Sequence, residues 1–159
     1  MSEDVSEGGS SGFDIVSILG GTNDLWRLKP EEVLVNIEQC VDVVGNYRSS
    51  AQILLSTVPT FDPGFLKWFA FMDFPAKVEA CRIQYNSMLR EMAKDNHRCS
   101  LVDLDKALDG RRGARHSDGI HLSPAGYELF SSLIYDGMAR GKTASGAATR
   151  ETKEGWDRG

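Results

Sequence analysis

The chain has 159 residues, of which 41% are hydrophobic and 26% charged, and a formal net charge of -5. That size and composition suit one globular domain with its own core, and an acidic balance without a basic cluster argues against nucleic acid or an anionic membrane surface as partner. No apolar run approaches the roughly 18 residues of a membrane span. Cys40, Cys81 and Cys99 are odd in number and lack C-x-x-C spacing, so neither a disulfide framework nor a zinc site is expected.

Residues 1–12, rich in Gly, Ser and Glu, read as a flexible leader. They have neither the basic nor the apolar region of a signal peptide, which makes the cytoplasm the expected location. Residues 13–19 form an apolar run of the kind seen in parallel strands covered on both faces, and Gly20-Gly21-Thr22-Asn23-Asp24 follows it. Pro30, with Glu31 and Glu32 behind it, opens a helix whose apolar stripe is Val33, Leu34, Ile37, Val41 and Val44, with Gly45 placed to end it. Residues 51–58 are a second apolar strand, completing a βαβ unit.

Residues 60–74 hold Phe61, Phe65, Trp68, Phe69, Phe71 and Phe74 just past that strand. Two readings stay open for them: the wall of an acyl or alkyl pocket, or a short helix packed on the sheet. A helix over 76–94 presents Val78, Cys81, Tyr85, Met88, Leu89 and Met92 to the core, and residues 100–104 form the third strand. Ser123 reads as the N-cap and Pro124 as the first residue of a closing helix that buries Tyr127, Phe130, Ile134 and Met138. The domain spans 13–141, and 142–159 reads as a disordered tail. Alternating strands and helices imply an α/β domain with a parallel sheet and helices on both faces.

Asp118-Gly119-Ile120-His121 puts an acid and an imidazole three residues apart where a loop enters that helix. A turn there brings the carboxylate against one ring nitrogen, fixes the tautomer and leaves the other nitrogen as a base. Asn23 and Asp24 follow a strand, where such residues commonly cap the next turn. His116 and His121 with Asp103 or Asp105 have no metal-specific spacing, so no metal is expected.

The two blocks, Gly21-Thr22-Asn23-Asp24 and Asp118-Gly119-Ile120-His121, resemble those of the SGNH (GDSL-type) serine hydrolase family over roughly residues 14–138. The resemblance implies a flavodoxin-like three-layer α/β/α fold and a Ser-His-Asp mechanism on an ester or acyl small molecule, esterase- or lipase-like and without cofactor. It makes Asn23 the oxyanion donor, Asp118 the orienting acid and His121 the general base, with Gly21 the block's glycine and Asp24 bracing the loop. Phe61, Phe65 and Trp68 become candidate pocket residues. The family carries its nucleophile in a G-D-S block on the first strand, which lies beside the third. Only 19 residues precede Gly20, too few for two strands and a crossover.

Ser10 and Ser11 precede the strand that Asn23 follows, and a seven-residue strand separates its ends by roughly 20 Å. The expectation is therefore a truncated form lacking the first strands and the serine, with the edge of residues 13–19 unpaired. The alternative is a non-catalytic binding or scaffold domain that keeps the pocket. Nothing in the sequence indicates an oligomeric state.

Overall fold

A computed structural model describes residues 13–61, 74–114 and 119–154. Its strands are β1 (Ile15–Leu19), β2 (Gln52–Ser56) and β3 (Cys99–Val102), and its helices α1 (Pro30–Tyr47), α2 (Phe74–Asp95), α3 (Leu104–Leu108) and α4 (Pro124–Glu154). The strands form a parallel sheet in the order β1-β2-β3, with Ser17 opposite Leu54 and Leu55 opposite Leu101. This is the three-layer α/β architecture expected from the apolar runs.

Alternation along β2 divides the core. Ile53 and Leu55 face one layer, where they meet Val33, Ile37 and Val41 of α1 and Tyr85, Leu89 and Ala93 of α2. Each fully buried side chain of this size stabilises by about 1.5 to 3 kcal/mol relative to its exposed state. Leu54 and Val102 face the other layer and lie against Gly137 of α4. Beside them a second cluster joins Leu104, Leu108, Ala114 and Leu122 to Leu129, Phe130 and Leu133. Since α4 covers β2 and β3, β1 keeps Ser17 and Leu19 exposed and has no second strand neighbour among the described residues.

Three boundaries and one buried face differ from the sequence reading. Gly45 does not end α1; a Cβ there would overlap the Arg98 guanidinium, so the glycine makes room for a side chain inside a helix that continues to Tyr47. The third strand stops at Val102 because the Asp103 side chain accepts from Lys106 N and starts α3 at Leu104. On α4 the covered stripe is Gly126, Phe130, Leu133 and Gly137, while Tyr127, one 100° step aside, is 54% exposed. The backbone of α4 also runs on to Glu154, so residues 142–154 are helical where composition pointed to disorder. Ala144, Ala147 and Ala148 have high helix propensity and extend a helix already nucleated.

Candidate active site

Beyond the end of β1 the chain must turn sharply, and Gly21 makes that possible. Its φ is +103°, and a Cβ would sit 3.1 Å from Val33 Cγ1 and 3.3 Å from the Tyr85 ring. Its carbonyl accepts from the backbone N–H of Asp24 (3.1 Å) and Leu25 (3.0 Å), winding the chain into a 3-10 turn at Asp24–Trp26. The Tyr85 hydroxyl donates to Gly20 O at 3.2 Å from a fully buried ring. Burial, with the Asp24 carboxylate second, pushes that hydroxyl far above the usual tyrosine range, so it remains a donor.

Asn23 occupies the cap position of this turn but makes no side-chain cap bond, and it is exposed. Its amide is therefore not consumed by local capping, the ordinary fate of Asn after a strand. It lines a hollow of about 630 Å³ together with Asp24, Trp26, Arg27 and Leu28. The Trp26 ring meets Phe61 edge-on at 5.6 Å, and Phe61 is buried. Phe61 thus backs the wall instead of lining the hollow. Phe65 and Trp68 lie outside the described residues. Asp24 holds the loop through its backbone, its carbonyl accepting from Arg27 N and Leu28 N at 2.8 Å each.

Ser123 is the N-cap of α4 as read from the sequence: its Oγ accepts from Gly126 N at 3.2 Å and donates to Gly113 O at 2.7 Å. A Cβ on Gly126 would overlap the Ala114 carbonyl oxygen, so the helix start is pressed onto the preceding turn. Gly119, at φ +73°, swings the chain into Ile120 and His121. His121 is exposed, two residues before the cap; Asp118 and His116 lie outside the described residues.

The edge on which His121 sits follows from α4. Gln52, at the start of β2, donates its side-chain amide to Gly137 O at 2.9 Å. From Gly137 back to Pro124 the helix rises roughly 20 Å, more than the length of β2, so its first turn lies past the C-terminal ends of the strands. Asn23 follows the C-terminal end of β1. Both residues therefore share the edge where parallel sheets gather their functional groups.

A polar network at the same edge escaped the sequence reading. Arg82 is 4% exposed and donates to Glu79 (2.7 and 2.8 Å), Asp105 (2.6 Å) and Val58 O (2.9 Å). Arg90 forks onto Asp103 (2.8 and 3.0 Å) and reaches Asp105 at 3.2 Å. Thr57 donates to Asp103 at 3.1 Å and accepts from Asp105 N at 2.9 Å, tying the ends of β2 and β3. Asn86, fully buried, exchanges two bonds with Val58 (2.8 and 2.9 Å).

Although burial pushes the Asp103 carboxyl up, the hydrogen bonds and charge of Arg90 outweigh it and hold the group below the ordinary carboxylate value. Asp103 and Asp105 are thus both bound to arginines. The sequence carried one signal: Arg82, Asn86 and Arg90 recur at four-residue spacing beside the apolar stripe of α2. Ser56 also went unnoticed; its Oγ is buried at the end of β2 without a partner among the described residues, and at 1% exposure no substrate reaches it.

The sequence profile of the GDSL-like Lipase/Acylhydrolase family matches residues 3–129. The chain belongs to that family. Among solved structures it resembles a Streptococcus pneumonia protein assigned as a platelet activating factor, at 24% identity and TM-score 0.63, over 77% of this chain and 58% of that one. A GDSL-like lipase from Parabacteroides merdae matches at 20% identity and TM-score 0.65, over 79% and 60%. One from Bacteroides thetaiotaomicron matches at 21% and 0.58, over 80% and 62%. These likenesses bear on the fold. This GDSL-like chain spans about three fifths of the length of the structures it matches. No curated protein sequence matches it.

Proposed function

We propose that this chain carries the oxyanion donor and the acid–base pair of a serine ester hydrolase of the GDSL type, and that its 159 residues do not include a working nucleophile. The observation that carries the reading is an exposed Asn23, uncommitted to its turn, on the same sheet edge as His121. In the complete reaction His121 takes the proton of a serine hydroxyl as its oxygen adds to the ester carbonyl carbon. Asn23 Nδ2 donates to the oxyanion, a contribution of about 3 to 4 kcal/mol for donors of this kind. Asp118 stabilises the imidazolium, which returns its proton to the departing alkoxide. Water repeats the sequence on the acyl-enzyme. The substrate class is a small ester or acyl compound.

The test is hydrolysis of p-nitrophenyl acetate and labelling by a fluorophosphonate. The 159-residue chain should show no turnover above its His121→Ala variant and no serine adduct. Extended by an upstream segment bearing a G-D-S block, it should gain hydrolysis that needs both the new serine and His121. A stoichiometric adduct on the 159-residue chain would refute the proposal. An extended chain that binds esters without cleaving them would establish a binding domain instead.

A further inference from the structure

The pairing of β1 with β2 stops at a rung that the strand repeat would otherwise continue. Gln52 N donates to Asp14 O at 2.9 Å, so by the two-residue repeat of a parallel ladder the rung after Leu19 would join Val58 N to Gly20 O. That bond is not made. Val58 N donates instead to Asn86 Oδ1 at 2.9 Å, and Gly20 O accepts from the Tyr85 hydroxyl at 3.2 Å. Two successive residues of α2 thus stand between the strands and satisfy one group each. The turn that carries Asn23 parts there from the segment that leads to Phe61.

The carbonyl that Tyr85 holds belongs to the peptide plane between Gly20 and Gly21. With a glycine on each side, no Cβ limits the rotation of that plane. Nor could a larger residue replace either glycine without displacing its neighbours, since a Cβ would sit 3.0 Å from Ile37 Cδ1 at Gly20 and 3.3 Å from the Tyr85 ring at Gly21. What fixes the plane must come from outside the turn. We propose that Tyr85 is a positioning residue for the oxyanion donor: its hydroxyl stands in for the strand partner of Gly20 O and so fixes the turn that presents Asn23. The positive φ of Gly21 and its carbonyl bonds from Asp24 N and Leu25 N carry the orientation from that plane to Asn23. The inference rests on Asn23 having the role proposed for it above.

Tyr85→Phe removes the hydroxyl and keeps the ring against Gly21. In the 159-residue chain the backbone order parameters of Thr22 and Asn23 should fall from about 0.85 toward about 0.6, and the Asp24 and Leu25 amides should exchange faster. The circular dichroism spectrum and the signals of β3 should stay as in the wild type. In the chain extended by a G-D-S segment, Tyr85→Phe should lower kcat roughly 10- to 100-fold with KM within about twofold, as expected when a donor is misplaced by a fraction of an ångström. Asn23→Ala should lower kcat about 100-fold or more, and adding Tyr85→Phe to it should lower kcat no further, because nothing is left to position. A general loosening of the fold would instead lower kcat in both backgrounds. Unchanged order and exchange at residues 22–25, an unchanged kcat in an active extended chain, or an equal loss of kcat with and without Asn23 would each overturn the proposal. An extended chain without hydrolysis would overturn the proposed function, and the order parameters would still decide whether Tyr85 holds the turn.

Discussion

Replacing Asn86 by Ala tests whether the segment leaving β2 is held by side-chain bonds from α2. Asn86 accepts from Val58 N at 2.9 Å and donates to Val58 O at 2.8 Å, with no solvent exposure. The carbonyl survives the change, because Arg82 still donates to it at 2.9 Å. The Val58 N–H does not, and an orphaned buried donor costs about 1 to 3 kcal/mol. Adding the small void left by the truncation, the expected loss is about 2 to 3 kcal/mol, or roughly 5 to 10 °C in Tm for a domain of this size. Urea unfolding should show a lower midpoint with an unchanged slope, and the Val58 amide should exchange faster than in the wild type. Asn36→Ala, on the exposed flank of α1, should stay within about 0.5 kcal/mol. A loss for Asn86→Ala no larger than that of Asn36→Ala would refute the clamp.

Gly21→Ala should destabilise by about 1 to 3 kcal/mol in the same assay, because its φ of +103° and the 3.1 Å approach to Val33 both oppose a Cβ; a neutral result would remove the left-handed turn from the account of Asn23. Gly126→Ala, which would overlap the Ala114 carbonyl, should cost about 1 to 3 kcal/mol by forcing α4 off the preceding turn, and an unchanged melting curve would deny that contact. Asp103 is held below its ordinary pKa of 3.8, so its contribution is fully present above the unfolded value and lost as pH falls through the folded one. The stability gap between wild type and Asp103→Asn should therefore narrow from about pH 5 toward pH 3, and a gap constant across that range would rule out the Arg90 pairing as its source.

What could be read from the sequence is what depends on near neighbours. The apolar runs at 13–19 and 51–58 announce parallel strands, and Ser123-Pro124 announces the start of α4, since strand patterning and capping are local. Readings failed where a distant residue decided. Gly45 looks like a helix end until Arg98, far along the chain, is packed against it. Residues 103 and 104 are the exception, a local signal passed over: the Asp103 side chain accepts from Lys106 N, three residues on, and starts α3 where the reading continued the strand. Arg82 escaped the sequence reading altogether, because what encloses it is Glu79, Asp105 and the Val58 carbonyl, brought together only by the fold. Asn23 shows the opposite case: its residue type suits a turn cap, yet its side chain makes no cap bond, a fact of geometry that residue type alone does not decide.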